Sequence, residues 1–136
     1  MDFTFDNTSP IYLQMAERLK AAIVAGEFCA GEKLPSVRDL AVLGKVNPNT
    51  VQKALTELED SGLIFTDRTN GKFVTKSAEL LQRFKKQYAY ELSKKYLQDM
   101  QKLGYNENAT REYLKGLGGN DNGIVEMYPH KKELWK

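Results

Sequence analysis

Leu63-Ile64-Phe65-Thr66-Asp67-Arg68-Thr69-Asn70-Gly71-Lys72-Phe73-Val74-Thr75 is where the hydrophobic period of the chain changes from helical to alternating, and that change decides the fold. Leu63–Thr66 and Lys72–Thr75 are rich in β-branched and aromatic residues. The Asn70-Gly71 pair between them is a strong hairpin signal, because both residues tolerate positive φ. Upstream, Asn47-Pro48 supplies a capping residue and then proline at the first helical position, where no backbone donor is needed. Val51, Ala54, Leu55 and Leu58 form one apolar stripe, closed by Ser61-Gly62. A helix before it opens at Ser36-Val37-Arg38-Asp39, which has capping-box spacing with Asp in place of Glu. Val37, Leu40, Ala41 and Leu43 are expected to face inward, and Gly44-Lys45-Val46 makes the turn. The first helix is expected to be capped by Ser9, with Pro10 at its first position, Ile11, Met15, Leu19, Ala22 and Ile23 as its stripe, and Gly26 as its stop. Phe3-Thr4-Phe5 alternates like a short strand. Three short helices and a hairpin within residues 1–76 spell a winged helix-turn-helix, mainly α with a small β-hairpin.

Downstream, Leu81, Phe84, Tyr88, Leu92, Tyr96, Met100 and Leu103 step by three or four along one helix, Ala78 to Leu103. At 1.5 Å per residue it spans about 39 Å, more than so small a domain can cover. Gly104 breaks it, and Asn106 can cap a second helix carrying Ala109, Tyr113, Leu114 and Leu117. Residues 77–117 therefore read as a helical dimerisation hairpin, with Leu81, Phe84, Tyr88, Leu92, Tyr96, Met100, Leu103, Tyr113 and Leu114 at the interface. The stretch 118–136 begins as a glycine- and asparagine-rich linker and has no readable period.

The chain has 136 residues, of which 41% are hydrophobic, enough for one core and an appendage but not for a second full-sized catalytic or sensor domain. No apolar run approaches the roughly 18 residues of a membrane span, and Met1-Asp2-Phe3-Thr4 opens no signal peptide. One cysteine, Cys29, and one histidine, His130, make a poor metal set. No nucleophile–base pair, carboxylate dyad or phosphate-binding glycine loop stands out, so neither an enzyme nor a cofactor is expected. A cytoplasmic protein is.

Net charge does not point to nucleic acid. Residues 1–76 carry 9 Lys and Arg against 10 Asp and Glu, whereas residues 77–136 carry 11 against 8. The case rests on placement. In a helix-turn-helix the second of the paired helices enters the major groove and its first turns meet base edges. Off the apolar stripe of the third helix stand Asn49, Thr50, Gln52, Lys53 and Thr56. Asn and Gln match the donor–acceptor edge of adenine, and Lys53 can reach phosphate or guanine. Glu57, Glu59 and Asp60 lie at the far end. Arg38 could fork onto guanine or phosphate, or pair with Asp39 or Glu57 on the surface. Arg68, Gly71 and Lys72 make a wing tip with two cations and a glycine that permits close approach.

These segments together resemble the GntR family of bacterial transcription regulators. The resemblance is carried by Pro10-Ile11-Tyr12-Leu13-Gln14, Gly31-Glu32-Lys33-Leu34-Pro35-Ser36-Val37-Arg38-Asp39-Leu40-Ala41, Asn47-Pro48-Asn49-Thr50-Val51-Gln52-Lys53-Ala54-Leu55 and Leu58-Glu59-Asp60-Ser61-Gly62-Leu63-Ile64. It implies a homodimer on double-stranded operator DNA, with Ser36, Arg38, Asn47, Asn49, Thr50, Gln52 and Gly71 as DNA contacts. The Asn-Pro-Asn-Thr-Val run and the short helical C-terminus are similar to the YtrA-type subfamily. The reading is a repressor on a palindromic operator, with a small-molecule effector as a further partner. The alternative is a winged-helix module for protein–protein assembly. Tyr88, Tyr90, Tyr96, Tyr105 and Tyr113 fit an effector pocket or, more simply, an amphipathic interface.

Overall fold

The computed structural model describes residues 3–118, so the tail read as a linker lies outside the described residues except for Gly118. The elements run α1 (Ile11–Val24), α2 (Val37–Gly44), α3 (Pro48–Asp60), β1 (Ile64–Asp67), β2 (Gly71–Val74), α4 (Ala78–Lys102) and α5 (Glu107–Gly118). This is the expected winged helix-turn-helix followed by two helices. The chain divides into two compact units, one ending at Tyr88 and the other beginning at Ala89.

The core of the first unit is built from the stripes read in the sequence. Met15 and Leu19 from α1, Leu40 from α2, Val51, Ala54 and Leu55 from α3, and Leu63 and Val74 beside and within the hairpin are each 1% exposed or less. Burying a side chain of this size contributes about 1.5–3 kcal/mol, so this cluster outweighs every surface contact in the domain.

Local corrections have physical causes. Ser9 does not cap α1; Pro10 is the N-cap, with an extended ψ of 139°, and no side chain accepts a bond from the first turn. The Gln14 amide takes over the junction, donating to the carbonyls of Asp6 (2.9 Å) and Ser9 (2.7 Å) and accepting the Asp6 N–H (3.0 Å). Phe3 and Phe5 form no strand; their rings stack at 5.8 Å and pack on the core from an irregular arm. Leu43 does not face inward but is 52% exposed, beside Val42 at 72%.

Gly26 and Gly62 end α1 and α3 with positive φ, as glycine allows. At the end of α2 the roles are displaced by one residue. Gly44 is the last helical residue and is buried, a Cβ there lying 3.0 Å from the Met15 methyl, so it is Lys45 that takes the left-handed turn at φ 52°. The Val46 N–H closes that turn on the Ala41 carbonyl at 3.1 Å.

The hairpin is antiparallel, with Ile64 opposite Val74 and Asp67 opposite Gly71. Its loop is therefore Arg68-Thr69-Asn70, and Asn70-Gly71 is not the two-residue centre of the turn. The Asp67 carboxylate organises this loop by accepting the Thr69 N–H (3.0 Å), the Thr69 hydroxyl (2.9 Å) and the Asn70 amide (3.3 Å). Those bonds, the Thr69 N–H first, hold its carboxyl below the usual range.

Helix α4 opens on a Ser77 cap, whose Oγ accepts the Leu80 N–H at 3.1 Å. Its first turns do not leave the winged domain. Leu81 and Phe84, expected at the dimer interface, are half-buried against the core of the first unit, which runs on to Tyr88. Among the described residues of the second unit, Leu92, Leu103 and Leu114 are 55%, 73% and 47% exposed. Asn106 caps α5 as expected, accepting the Ala109 N–H at 2.8 Å.

The strain at Lys45 is testable. A left-handed side-chain-bearing residue costs about 1–2 kcal/mol, of which glycine's extra freedom in the unfolded chain returns part. Lys45→Gly should raise stability by about 0.5–1 kcal/mol in urea melts. Lys45→Ala should not.

Candidate nucleic-acid interface

Helix α3 starts where Asn47 Oδ1 accepts the Asn49 N–H at 2.8 Å, with Pro48 in the first turn. Because Val51, Ala54, Leu55 and Leu58 are buried, the 3.6-residue period turns Asn49, Gln52, Lys53 and Thr56 outward as one exposed stripe. Thr50 is half-buried at its edge. The cap engages the Asn47 carbonyl oxygen and leaves its amide donors for an acceptor outside the chain. Lys53 leans towards α1, its ammonium 5.7 Å from the centre of the Tyr12 ring.

Helix α2 opens on Ser36 and carries Arg38 in its first turn. Ser36 Oγ accepts the Asp39 N–H at 3.0 Å, which orders the first turn. Arg38 is exposed, and among the described residues no carboxylate lies within ion-pair distance of it. The surface pairing with Asp39 or Glu57 is not made. At the wing, Arg68 and Gly71 are exposed, and Gly71 has φ 106°, the conformation expected of it. The wing and the start of α2 bound an open cleft of about 390 Å³ lined by Lys33, Ser36, Arg68 and Gly71 among others.

Lys72 stands apart from the other wing cations. Its side chain is only 16% exposed, and its ammonium donates to Thr66 Oγ1 (2.8 Å) and pairs with Glu59 Oε2 (3.4 Å). The Thr66 hydroxyl in turn donates to Glu59 Oε1 at 2.5 Å. This triad ties the wing to the last turn of α3. The sequence carried the signal: Lys72 and Val74 share a strand face, and Val74 is core.

Tyr88 lines a shallow depression with Leu13, Gln14, Arg18 and Ala21, whereas Tyr96 lies in a groove with Leu92, Asp99, Met100 and Leu103. Tyr90 is 60% exposed, and Tyr105 meets the edge of Tyr113 at 5.9 Å. Among the described residues no cluster of His, Cys, Asp and Glu could hold a metal, and no helix is long and apolar enough to cross a membrane.

The Thr66 hydroxyl, helped by the Lys72 ammonium and opposed by desolvation, holds the Glu59 carboxyl below its ordinary 4.5. A depressed pKa stabilises the fold above the unfolded value and ceases to do so as pH falls through the folded one. Glu59→Gln should therefore lower stability at neutral pH and narrow the difference between neutral and acid urea melts. An unchanged difference would mean the triad contributes nothing to holding the wing.

Comparison with known proteins agrees with this geometry. Residues 11–74 match the family described as bacterial regulatory proteins, gntR family. The HTH-type transcriptional repressor YtrA of Bacillus subtilis is 34% identical over 118 residues, covering 86% of this chain and 91% of that protein. A GntR family transcriptional regulator from Listeria monocytogenes superposes with a TM-score of 0.76 at 37% identity, over 82% of this chain and 98% of its own. The AraR DNA-binding domain in complex with operator ORX1 is 26% identical, with a TM-score of 0.50 over 53% of this chain and 93% of that one. These relatives are regulators, not enzymes, and the protein-assembly alternative gives way to DNA binding. The chain belongs to the gntR family of bacterial regulatory proteins and is a DNA-binding transcriptional regulator.

Proposed function

We propose that the chain is a cytoplasmic repressor that binds a palindromic operator as a homodimer, each winged helix reading one half-site. The observation that carries base reading is the exposed Asn49–Gln52–Lys53–Thr56 stripe of α3, together with an exposed Arg38 that no described carboxylate holds. Ser36, Asn47, Thr50, Arg68 and Gly71 surround it as backbone and phosphate contacts. Lys72, by contrast, serves the wing from inside.

Support for the dimer comes from the second unit, where Leu92, Tyr96 and Met100 of α4 and Leu103 just after it line one groove, with Leu92 and Leu103 largely exposed. Tyr113 and Leu114 add exposed apolar surface on α5. A two-fold copy would cover these faces and set half-site centres about 34 Å apart, or a multiple of that. Repression is then competition with RNA polymerase for the promoter. An effector acts by favouring one dimer geometry over another, because a ligand shifts an equilibrium only through differential affinity.

Arg38→Ala should cost about 1–3 kcal/mol on a duplex selected from a randomised pool, and less on a scrambled one, if the guanidinium reads a base. Equal losses on both would assign it to phosphate. The double substitution Leu92→Glu and Leu103→Glu should sediment as a monomer with native helical content and weakened operator binding. A variant that stayed dimeric would overturn this interface.

A further inference from the structure

We infer that Lys33, on the loop between α1 and α2, supplies a phosphate-binding cation of the wing, in place of Lys72, which the sequence alone puts at the wing tip with Arg68. The inference rests on the DNA-binding reading above and assigns one further contact within it. Lys33 pairs with Phe73 as an isolated antiparallel bridge, which lays this loop along β2. Leu34, the next residue, is 3% exposed and points into the core, so the strand alternation turns Lys33 to the opposite face. Gly71 lies on that same face, two residues from Phe73.

The Lys33 stem crosses the space where Gly71 has no side chain. A Cβ on Gly71 would lie 3.3 Å from Lys33 Cε and 4.0 Å from Nζ, so the ammonium lies beside Gly71 of the wing. It lines the cleft between the wing and the start of α2 together with Ser36 and Arg68. Lys33 is exposed, and among the described residues no carboxylate lies within ion-pair distance of it. The nearby acids are turned to their own loops: Glu32 Oε1 accepts the Cys29 N–H at 3.1 Å, and Asp67 accepts from Thr69 and Asn70. A cation so placed, between two groups of a DNA-binding surface and with no described carboxylate to hold it, is suited to a phosphate oxygen.

The test is the salt dependence of binding by the full chain, on a duplex that wild-type protein selects from a randomised pool. Removing one cation that neutralises a phosphate makes the slope of log affinity against log salt shallower by about 0.9. Lys33→Gln should show that change, with affinity falling alike on selected and scrambled duplexes. Lys33→Arg should restore the slope. Lys72→Gln should leave the slope unchanged and lower the melting temperature. A wild-type slope in Lys33→Gln, or the shallower slope arising in Lys72→Gln instead, would overturn the assignment. If wild-type protein itself bound no duplex in a salt-dependent way, the DNA-binding reading would fall first.

Discussion

Three backbone hydrogen bonds between the α1–α2 loop and β2 hold the wing and the start of α2 in register. The Leu34 N–H donates to the Lys72 carbonyl at 2.8 Å, the Val74 N–H to Glu32 at 2.9 Å, and the Gly31 N–H to Val74 at 3.0 Å. The hairpin alone has two strands and would be marginal in water. With Glu32–Leu34 added to its edge and Leu34 driven into the core, it becomes a platform on which both the wing and the start of α2 are mounted. Pro35 and Ser36 follow at once, so the α2 cap and Arg38 inherit their position from a sheet edge. The segment 31–38 thus joins two jobs, strand addition and helix initiation, within eight residues.

Fixing that edge also decides where α4 begins. The Thr75 N–H donates to the Leu63 carbonyl at 2.9 Å, Ser77 caps the helix, and Leu81 and Phe84 then return to the core. The Lys20 ammonium over the Phe84 ring at 5.4 Å adds a second contact between α1 and α4. The first turns of α4 thereby complete the winged domain's packing. No residue of α4 is fully buried, yet its amphipathic stripe continues beyond Phe84 through Tyr88, Leu92, Tyr96 and Met100. One stripe serves two consecutive purposes, closing a core and then presenting apolar surface.

The sequence made the element order legible because each helix carries a single apolar stripe and a clear stop, and because the period changes at Leu63. What it misplaced were positions where two local rules competed. Ser9 had the chemistry of a cap, but the longer Gln14 side chain bridges the arm and leaves Pro10 as the N-cap. Gly44 looked like the glycine of a turn, but packing against Met15 claims its missing side chain and hands the left-handed conformation to Lys45. Leu43 had the right hydrophobicity, but α2 buries only the narrow face of Leu40, Ala41 and Gly44. Leu81 and Phe84 fit the dimer stripe equally well, and no spacing could separate them from Leu92. For the interface residues, the sequence revealed which side chains leave the core but not which cations find partners inside the domain.

That last distinction explains how a winged domain with one more acid than base can face a polyanion. Net charge is a sum over the surface, whereas phosphate contact depends on which ammonium and guanidinium groups are free to reach it. Here four of the acids are used locally. Glu59 is bound by Thr66 and Lys72, Asp67 by its own loop, Glu32 by the Cys29 N–H, and Asp6 by Thr8. Each keeps its charge, but its oxygens accept bonds within the fold, and Glu57, Glu59 and Asp60 stand at the end of α3 away from Asn47. The bases are divided differently: Lys72 is given up to hold the wing on α3, while Lys33, Arg38 and Arg68 remain on the exposed side near the start of α2. The domain's polarity therefore depends on where its charges stand and not on their sum, and a near-neutral composition is compatible with a cationic edge.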